Sequence, residues 1–390
     1  MKTGIMKKCA CLLAAALTLT AFAGCSGGDK GAQSGDGKTL VIGGIGPLTG
    51  DYATYGLGVK QGAELAVKEI NAAGGINGIT FELKFEDDQT DAEAAVSAFN
   101  KLMDGGMNVS LGAVTSGACI AVSEEVKETG MLMLTPSGSQ KECTQYDNCF
   151  RVCFTDPDQG TYAAKFIADN KVAKKVAVLY DKSNDYSAGI KKNFVEQAGK
   201  SGLEVVTEQA FTDQSKTDFS VQLQAIASSG AELVFLPIYA QEAAYILTQA
   251  KSANLNAIFF GCDGLDGILE KIGQDNLSAT EGVMLLTPFA ADAKDEKTQK
   301  FVADYKAAYN GTPDQFAADG YDAVYTIAEA LKQTGLDSVS DESFNEKMIA
   351  AMTQITVSGL TGTMTWSADG EPTKDATAVK IQNGAYVAFQ

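Results

Sequence analysis

The sequence contains no histidine among its 390 residues. Histidine is the usual general base of serine and cysteine hydrolases and a common zinc ligand, so its absence excludes Ser-His-Asp and Cys-His catalysis and every zinc site that needs an imidazole. After residue 38 the chain also has no G-x-S-x-G segment, the motif that carries the nucleophile of α/β hydrolases. We therefore predict a protein without catalytic residues, not an enzyme.

Positive charge is also scarce, with 31 Lys and Arg against 49 Asp and Glu and a formal net charge of −18 at pH 7. Phosphate backbones and anionic lipid surfaces both repel an acidic protein, and no local cluster of basic residues offsets this charge. We predict no nucleic-acid partner and no binding of the protein surface to membranes.

No apolar run in the chain is long enough to span a bilayer comfortably, which takes about 20 residues. The longest run, Ala10 to Ala23, follows three lysines and precedes Gly24-Cys25. This pattern resembles a bacterial lipoprotein signal, which implies that residues 1–24 are removed and that Cys25 carries the lipid. The next segment, 25–37, is rich in Gly, Ser and Asp and predicts a flexible tether to the outer face of the cytoplasmic membrane.

Five cysteines follow this segment, namely Cys119, Cys143, Cys149, Cys153 and Cys262. An odd number cannot pair completely, and no C-x-x-C spacing indicates a metal or redox centre. Two interpretations stay open: a Cys119–Cys143 disulfide between the ends of neighbouring strands, or buried free thiols throughout.

From residue 39 the chain alternates short apolar runs with amphipathic helical patterns, which predicts an α/β fold of parallel strands covered on both faces. The predicted strands are 40–45, 80–85, 109–114, 131–135, 175–180, 204–210, 233–238, 257–260, 283–287, 363–366 and 378–382. Breaks near residues 155–157 and 287–288 divide the series and predict two doubly wound, Rossmann-like lobes.

In such sheets ligands bind beyond the carboxyl ends of the strands, so we sought function in the strand-to-helix loops. The glycine-rich loop 43–50 has its third glycine displaced and a proline inserted, so we predict no dinucleotide and no other cofactor. Asp87-Asp88 fits either metal ligands or a solvated capping loop, and we favour the loop. The hydroxyl-rich loops 115–118 and 135–139 suit a carboxylate.

Several motifs, in order along nearly all of the chain after residue 38, resemble the Leu/Ile/Val-binding family, the substrate-binding proteins of branched-chain amino-acid ABC transporters. They are Gly46-Pro47-Leu48-Thr49-Gly50, Tyr55-Gly56, the INAAGGING stretch of 70–78, Asp87-Asp88, Thr135-Pro136-Ser137, Phe150-Arg151, Asp158-Gln159-Gly160 and Gly261-Cys262-Asp263-Gly264. The resemblance implies a type I periplasmic-binding fold with three crossings between the lobes. It also implies a first lobe of 38–156 plus 289–360 and a second lobe of 157–288 plus 361–390.

Carried over residue by residue, the resemblance implies that Ser116 and Ser139 grip the ligand α-carboxylate beside Thr115. The carbonyl of Ser137, the hydroxyl of Ser139 and Asp263 would hold the α-ammonium. Aromatic residues would line the side-chain end or the mouth of the cleft: Tyr55, Tyr186, Tyr239 and Phe316. The family's best-known members carry Thr at the position of Ser139 and Glu at that of Asp263, so the shorter Asp263 needs a tighter closure or a bridging water.

The resemblance implies a monomeric, extracytoplasmic receptor that binds an aliphatic, branched-chain type of amino acid and passes it to an ABC permease and its ATPase. Neither a metal nor a cofactor is implied, and the membrane is reached only through Cys25. Two alternatives remain at this stage: a sensory receptor with the same lobes that signals through a partner protein, and an α/β enzyme. The absence of histidine and the incomplete dinucleotide-binding motif in loop 43–50 argue against an enzyme.

Overall fold

The computed structural model describes residues 37–374 and 376–389. The predicted signal segment, most of the tether and the lipidation site Cys25 lie outside these residues. Within them, no helix is long and apolar enough to cross a membrane.

The first sheet contains five parallel strands in the order β2-β1-β3-β4-β5. Its strands are β1 (Thr39–Gly46), β2 (Thr80–Asp87), β3 (Val109–Leu111), β4 (Met133–Thr135) and β5 (Cys149–Arg151). The connecting helices are α1 (Ala53–Ala72), α2 (Ala92–Asp104) and α3 (Ser116–Thr129). Because β1 and β3 to β5 are almost entirely buried, their residues are apolar or small and do not alternate, apart from Arg151 at the end of β5.

After β5 the chain enters a second unit that repeats the same winding. Its helices are α4 (Asp156–Asp169), α5 (Asp185–Lys200), α6 (Ser220–Ser229), α7 (Ala240–Ser252) and α8 (Ile268–Lys271). Its strands are β6 (Lys175–Asp181), β7 (Glu204–Phe211), β8 (Leu233–Leu236), β9 (Ile258–Gly261) and β10 (Met284–Thr287). The parallel order β7-β6-β8-β9-β10 matches that of the first sheet strand for strand.

The chain then returns to the first sheet through α9 (Glu296–Tyr309), α10 (Gln315–Thr334) and α11 (Phe344–Met352). Helix α10 packs on α1 so closely that a Cβ at Gly62 would lie 1.8 Å from the carbonyl oxygen of Ala317. A two-stranded sheet of β11 (Val357–Ser358) and β12 (Thr363–Met364) follows. Strands β13 (Thr377–Gln382) and β14 (Ala385–Ala388) then add to the edge of the second sheet in antiparallel pairings. We call β1–β5 with α1–α3 and α9–α11 the first lobe, and β6–β10, β13 and β14 with α4–α8 the second lobe.

The predicted fold of two doubly wound lobes is confirmed, with local differences. Strand β5 was missed because three residues carry no periodicity. Strand β14 was missed although Asn383-Gly384, both at positive φ, form the tight turn that joins it to β13. Such an Asn-Gly pair is the strongest short hairpin signal in a sequence. The predicted strand 363–366 is shortened to β12, and Trp366 forms only an isolated bridge to Pro372.

All five described cysteines are free thiols with at most 2% of their surface exposed. Cys119 and Cys143 lie within hydrogen-bonding contact of each other beside Thr135, and Cys143 Sγ also donates to the carbonyl oxygen of Ser116. In this structure the two thiols are not bonded to each other, and the Cys119–Cys143 disulfide stays a prediction.

We expect these five thiols to react slowly with Ellman's reagent in the native protein, because burial shields them and raises the pKa of Cys149, Cys153 and Cys262. Unfolding in guanidinium under non-reducing conditions should expose all five, or two fewer if Cys119 and Cys143 are bridged. Fast reaction of the folded protein would contradict the burial described here.

Candidate functional site

The carboxyl ends of the two sheets face each other, and the loops that follow them enclose one small cavity. It lies between the first and second lobes and leaves only about 10 Å³ to the centre of a water molecule, which is room for about one water. The lining residues are Tyr55, Val114, Thr115, Ser116, Ser137, Tyr186, Tyr239, Asp263, Gly264 and Phe316. The structure thus brings together eight of the nine residues that the sequence singled out as ligand contacts.

The first-lobe wall of the cavity consists of the loops after β3 and β4. Ser116 is the first residue of α3, and Thr115 is its N-cap, whose hydroxyl has no hydrogen-bond partner although it is buried. The Ser137 hydroxyl donates to the carbonyl oxygen of Val114 at 2.7 Å, which ties the two loops together. A helix N-terminus carries partial positive charge and unpaired N–H groups, so this wall suits an anionic group.

The second-lobe wall carries Asp263, which follows β9 and is only 4% exposed. Its Oδ1 accepts hydrogen bonds from the Tyr186 hydroxyl at 2.6 Å and from the backbone N–H of Gly264 at 2.8 Å. Burial raises the pKa of Asp263 to about 6, against the opposing effect of these hydrogen bonds. Within the described residues no Lys or Arg forms an ion pair with this carboxyl group.

Four aromatic rings close the remaining side of the cavity. Tyr186 and Tyr239 stack with centroids 4.9 Å apart, and Tyr55 meets Phe316 edge to face at 4.7 Å. Tyr55 also lies 5.3 Å from Tyr239, so rings from both lobes form one continuous group. Tyr55 and Phe316 lie in the first turns of α1 and α10.

Direct hydrogen bonds join the two lobes around the cavity, so the structure is a closed state. Gln315 Nε2 donates to the carbonyl oxygen of Asp263 at 3.1 Å, and its backbone N–H donates to Asp266 Oδ2 at 3.0 Å. At the cleft edge the Tyr52 hydroxyl donates to Glu242 Oε1 at 2.7 Å. These contacts hold the loops of the two lobes together around Ser116 and Asp263.

Ser139 is the predicted contact that does not line the cavity. It is buried nearby, and its carbonyl oxygen accepts a hydrogen bond from the backbone N–H of Asp156 at 2.9 Å. Both carboxyl oxygens of Asp156 are buried without a hydrogen-bond partner among the described residues. Burial raises the pKa of Asp156 well above its ordinary value. The role of Ser139 in holding a ligand stays a prediction.

Sequence reasoning missed four residues that shape the site. Val114 and Gly264 line the cavity, while Gln159 accepts from the backbone N–H of Asp263 through Oε1 at 3.1 Å and Asp156 supports Ser139. Gln159 stands in the Asp158-Gln159-Gly160 motif, which was the available signal. Val114 acts through its backbone, and no side-chain pattern reveals that.

The acidic pair Asp87-Asp88, which the sequence also singled out, forms no comparable site. Asp87 accepts hydrogen bonds from Leu48, Thr49 and Gln89. Asp88 is fully buried, so the predicted solvated loop is wrong at this residue. The residue that caps α2 is Asp91. Among residues 37–374 and 376–389 no group of three or more His, Cys, Asp or Glu is arranged to hold a metal ion. A larger, open hollow of about 400 Å³ near α8 and β14 contains none of the predicted ligand contacts.

Several known proteins are similar to this chain in sequence and in fold. A match to the periplasmic binding protein family covers residues 39–385. The Leu/Ile/Val-binding protein homolog 3 of Brucella melitensis is 33% identical over 85% of this chain and 88% of its own. A Pseudomonas aeruginosa protein named for binding leucine, isoleucine, valine, threonine and alanine is 31% identical over 85% of this chain and 87% of its own.

The crystal structure of the branched-chain amino acid transporter substrate binding protein of Streptococcus pneumoniae, in complex with isoleucine, superposes with a TM-score of 0.82. It is 29% identical and covers 90% of this chain and 98% of its own. The doubly wound lobes and these similarities lead to one conclusion: the chain belongs to the periplasmic binding protein family, among the Leu/Ile/Val-binding substrate-binding proteins of ABC transporters.

Proposed function

We propose that this protein binds an aliphatic α-amino acid between its lobes and delivers it to an ABC importer from a lipid anchor at Cys25. The observation that carries the proposal is the pair of opposite electrostatic complements in one closed cavity. One wall presents the N-terminus of α3 and the other presents the buried carboxyl group of Asp263. A zwitterionic amino acid needs both, the first for its carboxylate and the second for its ammonium group.

The α-carboxylate of the ligand would lie against Thr115 and Ser116. The unpartnered Thr115 hydroxyl, the Ser116 hydroxyl and the first N–H groups of α3 are the donors available there. Anions at helix N-termini gain both from these hydrogen bonds and from the helix dipole. No basic side chain is needed for this end of the ligand.

The α-ammonium group of the ligand would supply the positive charge that no Lys or Arg supplies beside Asp263. Removing a charged carboxylate from water is costly unless an opposite charge and hydrogen bonds replace the lost hydration. Tyr186 and Gly264 supply hydrogen bonds, and the ammonium would supply the charge, with the Ser137 carbonyl as a further acceptor. Ligand binding and lobe closure would then stabilise each other.

Family membership and the N-terminal sequence support delivery to a permease. Proteins of this family work outside the cytoplasm. The lysines, apolar run and Cys25 of the first 25 residues support export followed by lipid attachment. The acidic protein surface offers the membrane no other attraction, so the anchor would be the sole link to the bilayer.

Replacing Asp263 by Ala should weaken binding of the best-bound amino acid by about 30-fold or more. Loss of one partner of a buried, hydrogen-bonded charge pair costs about 2 to 5 kcal/mol, because the other charge is left without compensation. Asp263→Asn, which keeps an acceptor but no charge, should lie between. The best-bound amino acid is chosen by a thermal-shift screen of the twenty, and titration calorimetry gives the affinities.

Melting curves of both variants provide the control for this experiment. Unchanged affinity in Asp263→Ala would assign the residue to the turn after β9 and not to the ligand. A screen in which no amino acid raises the melting temperature would refute the proposed function itself, since binding at a hundredfold excess over Kd stabilises by about 2.7 kcal/mol.

Binding should weaken as the pH falls through about 6, the value to which burial raises the pKa of Asp263. Below that pH the carboxyl group takes up a proton and no longer attracts the ammonium, so affinity drops by up to about tenfold per pH unit. The folding stability of the ligand-free protein should change with pH in the opposite direction. Because the folded-state pKa of Asp263 is raised, this residue favours the folded state at acidic pH, and its contribution is lost as the pH rises through about 6.

Calorimetry of the wild type and Asp263→Asn between about pH 5 and pH 8 checks this dependence. The variant carries no titrating group at this position, so its affinity should vary much less. Equal pH profiles for the two proteins would show that another group controls binding.

Cys25→Ser should move the protein from the membrane fraction to the soluble extracytoplasmic fraction of its host, because serine cannot carry the thioether-linked lipid. Ligand affinity should be unchanged, since the cavity lies wholly within the described lobes. Cys262→Ser is the matched control, as it replaces a buried thiol far along the chain and should leave the protein with the membrane. Membrane retention of Cys25→Ser would contradict the proposed anchor.

A further inference from the structure

Four side chains join the two lobes at the edge of the cleft. Asp51 and Tyr52 immediately precede α1 in the first lobe. Lys216 lies in the loop after β7 and Glu242 in the first turn of α7, both in the second lobe. None of the four lines the cavity between the lobes. We call them the cleft-edge cluster.

The Tyr52 hydroxyl is the centre of this cluster. It donates a hydrogen bond to Glu242 Oε1 at 2.7 Å and accepts one from Lys216 Nζ at 3.2 Å. Lys216 Nζ also lies 5.1 Å from the centroid of the Tyr52 ring. Because both partners belong to the opposite lobe, Tyr52 must give up both hydrogen bonds when the cleft opens.

The burial of Glu242 makes this contact stronger than an ordinary surface ion pair. Glu242 is only 3% exposed, so its carboxyl group has lost nearly all contact with water. A buried charge is costly without hydrogen bonds and an opposite charge, and Tyr52 and Lys216 supply both. Burial raises the pKa of Glu242, and these two partners oppose that shift. Hydrogen bonds to a charged group are roughly twice as strong as those between neutral groups, so the bond from Tyr52 should favour the closed state.

Lys216 adds a weaker attraction between the lobes. Its Nζ lies 3.7 Å from Asp51 Oδ2 across the cleft and 3.6 Å from Asp213 Oδ1 in its own loop. The side chains of Asp51 and Asp213 are 57% and 71% exposed, and exposed ion pairs contribute little. Lys216 therefore acts mainly through its contacts with Tyr52 and Glu242.

We propose that the cleft-edge cluster is a latch that keeps the cleft closed and slows the release of the bound amino acid. The inference rests on the proposed function and goes beyond it, because it assigns the release rate to residues outside the cavity. The lobes must open before the ligand leaves, and opening breaks the contacts of Tyr52. Loss of such contacts changes mainly the dissociation rate and leaves the association rate closer to its original value.

Stopped-flow fluorescence after dilution of the complex tests the latch in the wild type and two variants. The probe is the amino acid that binds best in the thermal-shift screen of the twenty. Tyr52→Phe keeps the ring but loses the hydroxyl, and we expect it to release this amino acid about tenfold faster. Lys216→Ala should release it at least about threefold faster, a smaller effect because Glu242 keeps its hydrogen bond from Tyr52. In both variants the association rate should change less than the release rate.

Lys191→Ala is the matched control, because Lys191 has the same kind of surroundings within a single lobe. Its side chain is 22% exposed, against 24% for Lys216. It contacts the carboxylate of Glu208, and its Nζ lies 5.0 Å from the centroid of the Tyr180 ring. These three residues lie on α5, β7 and β6 of the second lobe. The substitution therefore breaks no contact between the lobes and should leave the release rate unchanged.

The double variant Tyr52→Phe/Lys216→Ala separates a shared latch from two independent structural effects. Its release should be accelerated by clearly less than the product of the two single effects, since both substitutions remove the same hydrogen bond between Lys216 and Tyr52. An acceleration equal to that product would overturn the shared latch.

Release at the wild-type rate in both single variants would overturn the inference and leave the proposed function standing, as would an equal acceleration in Lys191→Ala. Melting curves show whether the variants fold, and Tyr52→Phe, the most conservative of them, decides the inference if Lys216→Ala does not fold. A screen in which none of the twenty amino acids binds would refute the proposed function, and the latch with it.

Discussion

A carboxyl group buried without a cationic partner governs the closed state of this protein. Asp263 lies 4% exposed between the lobes, with hydrogen bonds from Tyr186 and Gly264 but no Lys or Arg in ion-pair contact among the described residues. Its raised pKa records the cost of burying that charge. An ammonium group removes this cost, so the closed cleft is most stable when a cationic group of the right size lies beside Asp263.

Another buried carboxyl group, Asp319, does have a cationic partner, whereas Asp88 and Asp156 are buried without one among the described residues, as Asp263 is. Lys374 Nζ contacts Asp319 Oδ1 at 3.1 Å and donates to the carbonyl oxygen of Val152 and to Thr361 Oγ1, both at 2.8 Å. This network joins α10 to segments where the chain passes between the lobes. Breaking a buried pair is far more costly than making one is beneficial, so such contacts fix a position more than they add stability.

A second buried charge supports the loop after β4, which lines the cavity between the lobes. Arg151, at the end of β5, donates through Nη1 to the carbonyl oxygen of Gly138 at 2.7 Å and through Nη2 to Glu371 Oε1 at 3.0 Å. Arg151 Nε also lies 2.9 Å from Glu371 Oε2, without the angle of a hydrogen bond. Gly138 lies between Ser137 and Ser139, so this guanidinium positions the loop that faces Asp263 across the cleft.

The sequence by itself determined the two lobes, most strand and helix positions and eight of the nine predicted residues around the cavity. Buried parallel strands require continuous apolar runs, and hydroxyl or carboxyl side chains at strand ends are uncommon enough to be noticed. Strand β14 was equally predictable from its Asn-Gly turn but was overlooked.

Contacts between residues far apart in the chain were decided only by the tertiary structure. The distance between α1 and α10 places the Tyr55 ring, and the lobes must meet before its hydroxyl reaches Gly264 and Ala240. The volume left for a ligand is a difference between large packed volumes, and no local pattern of residues encodes it.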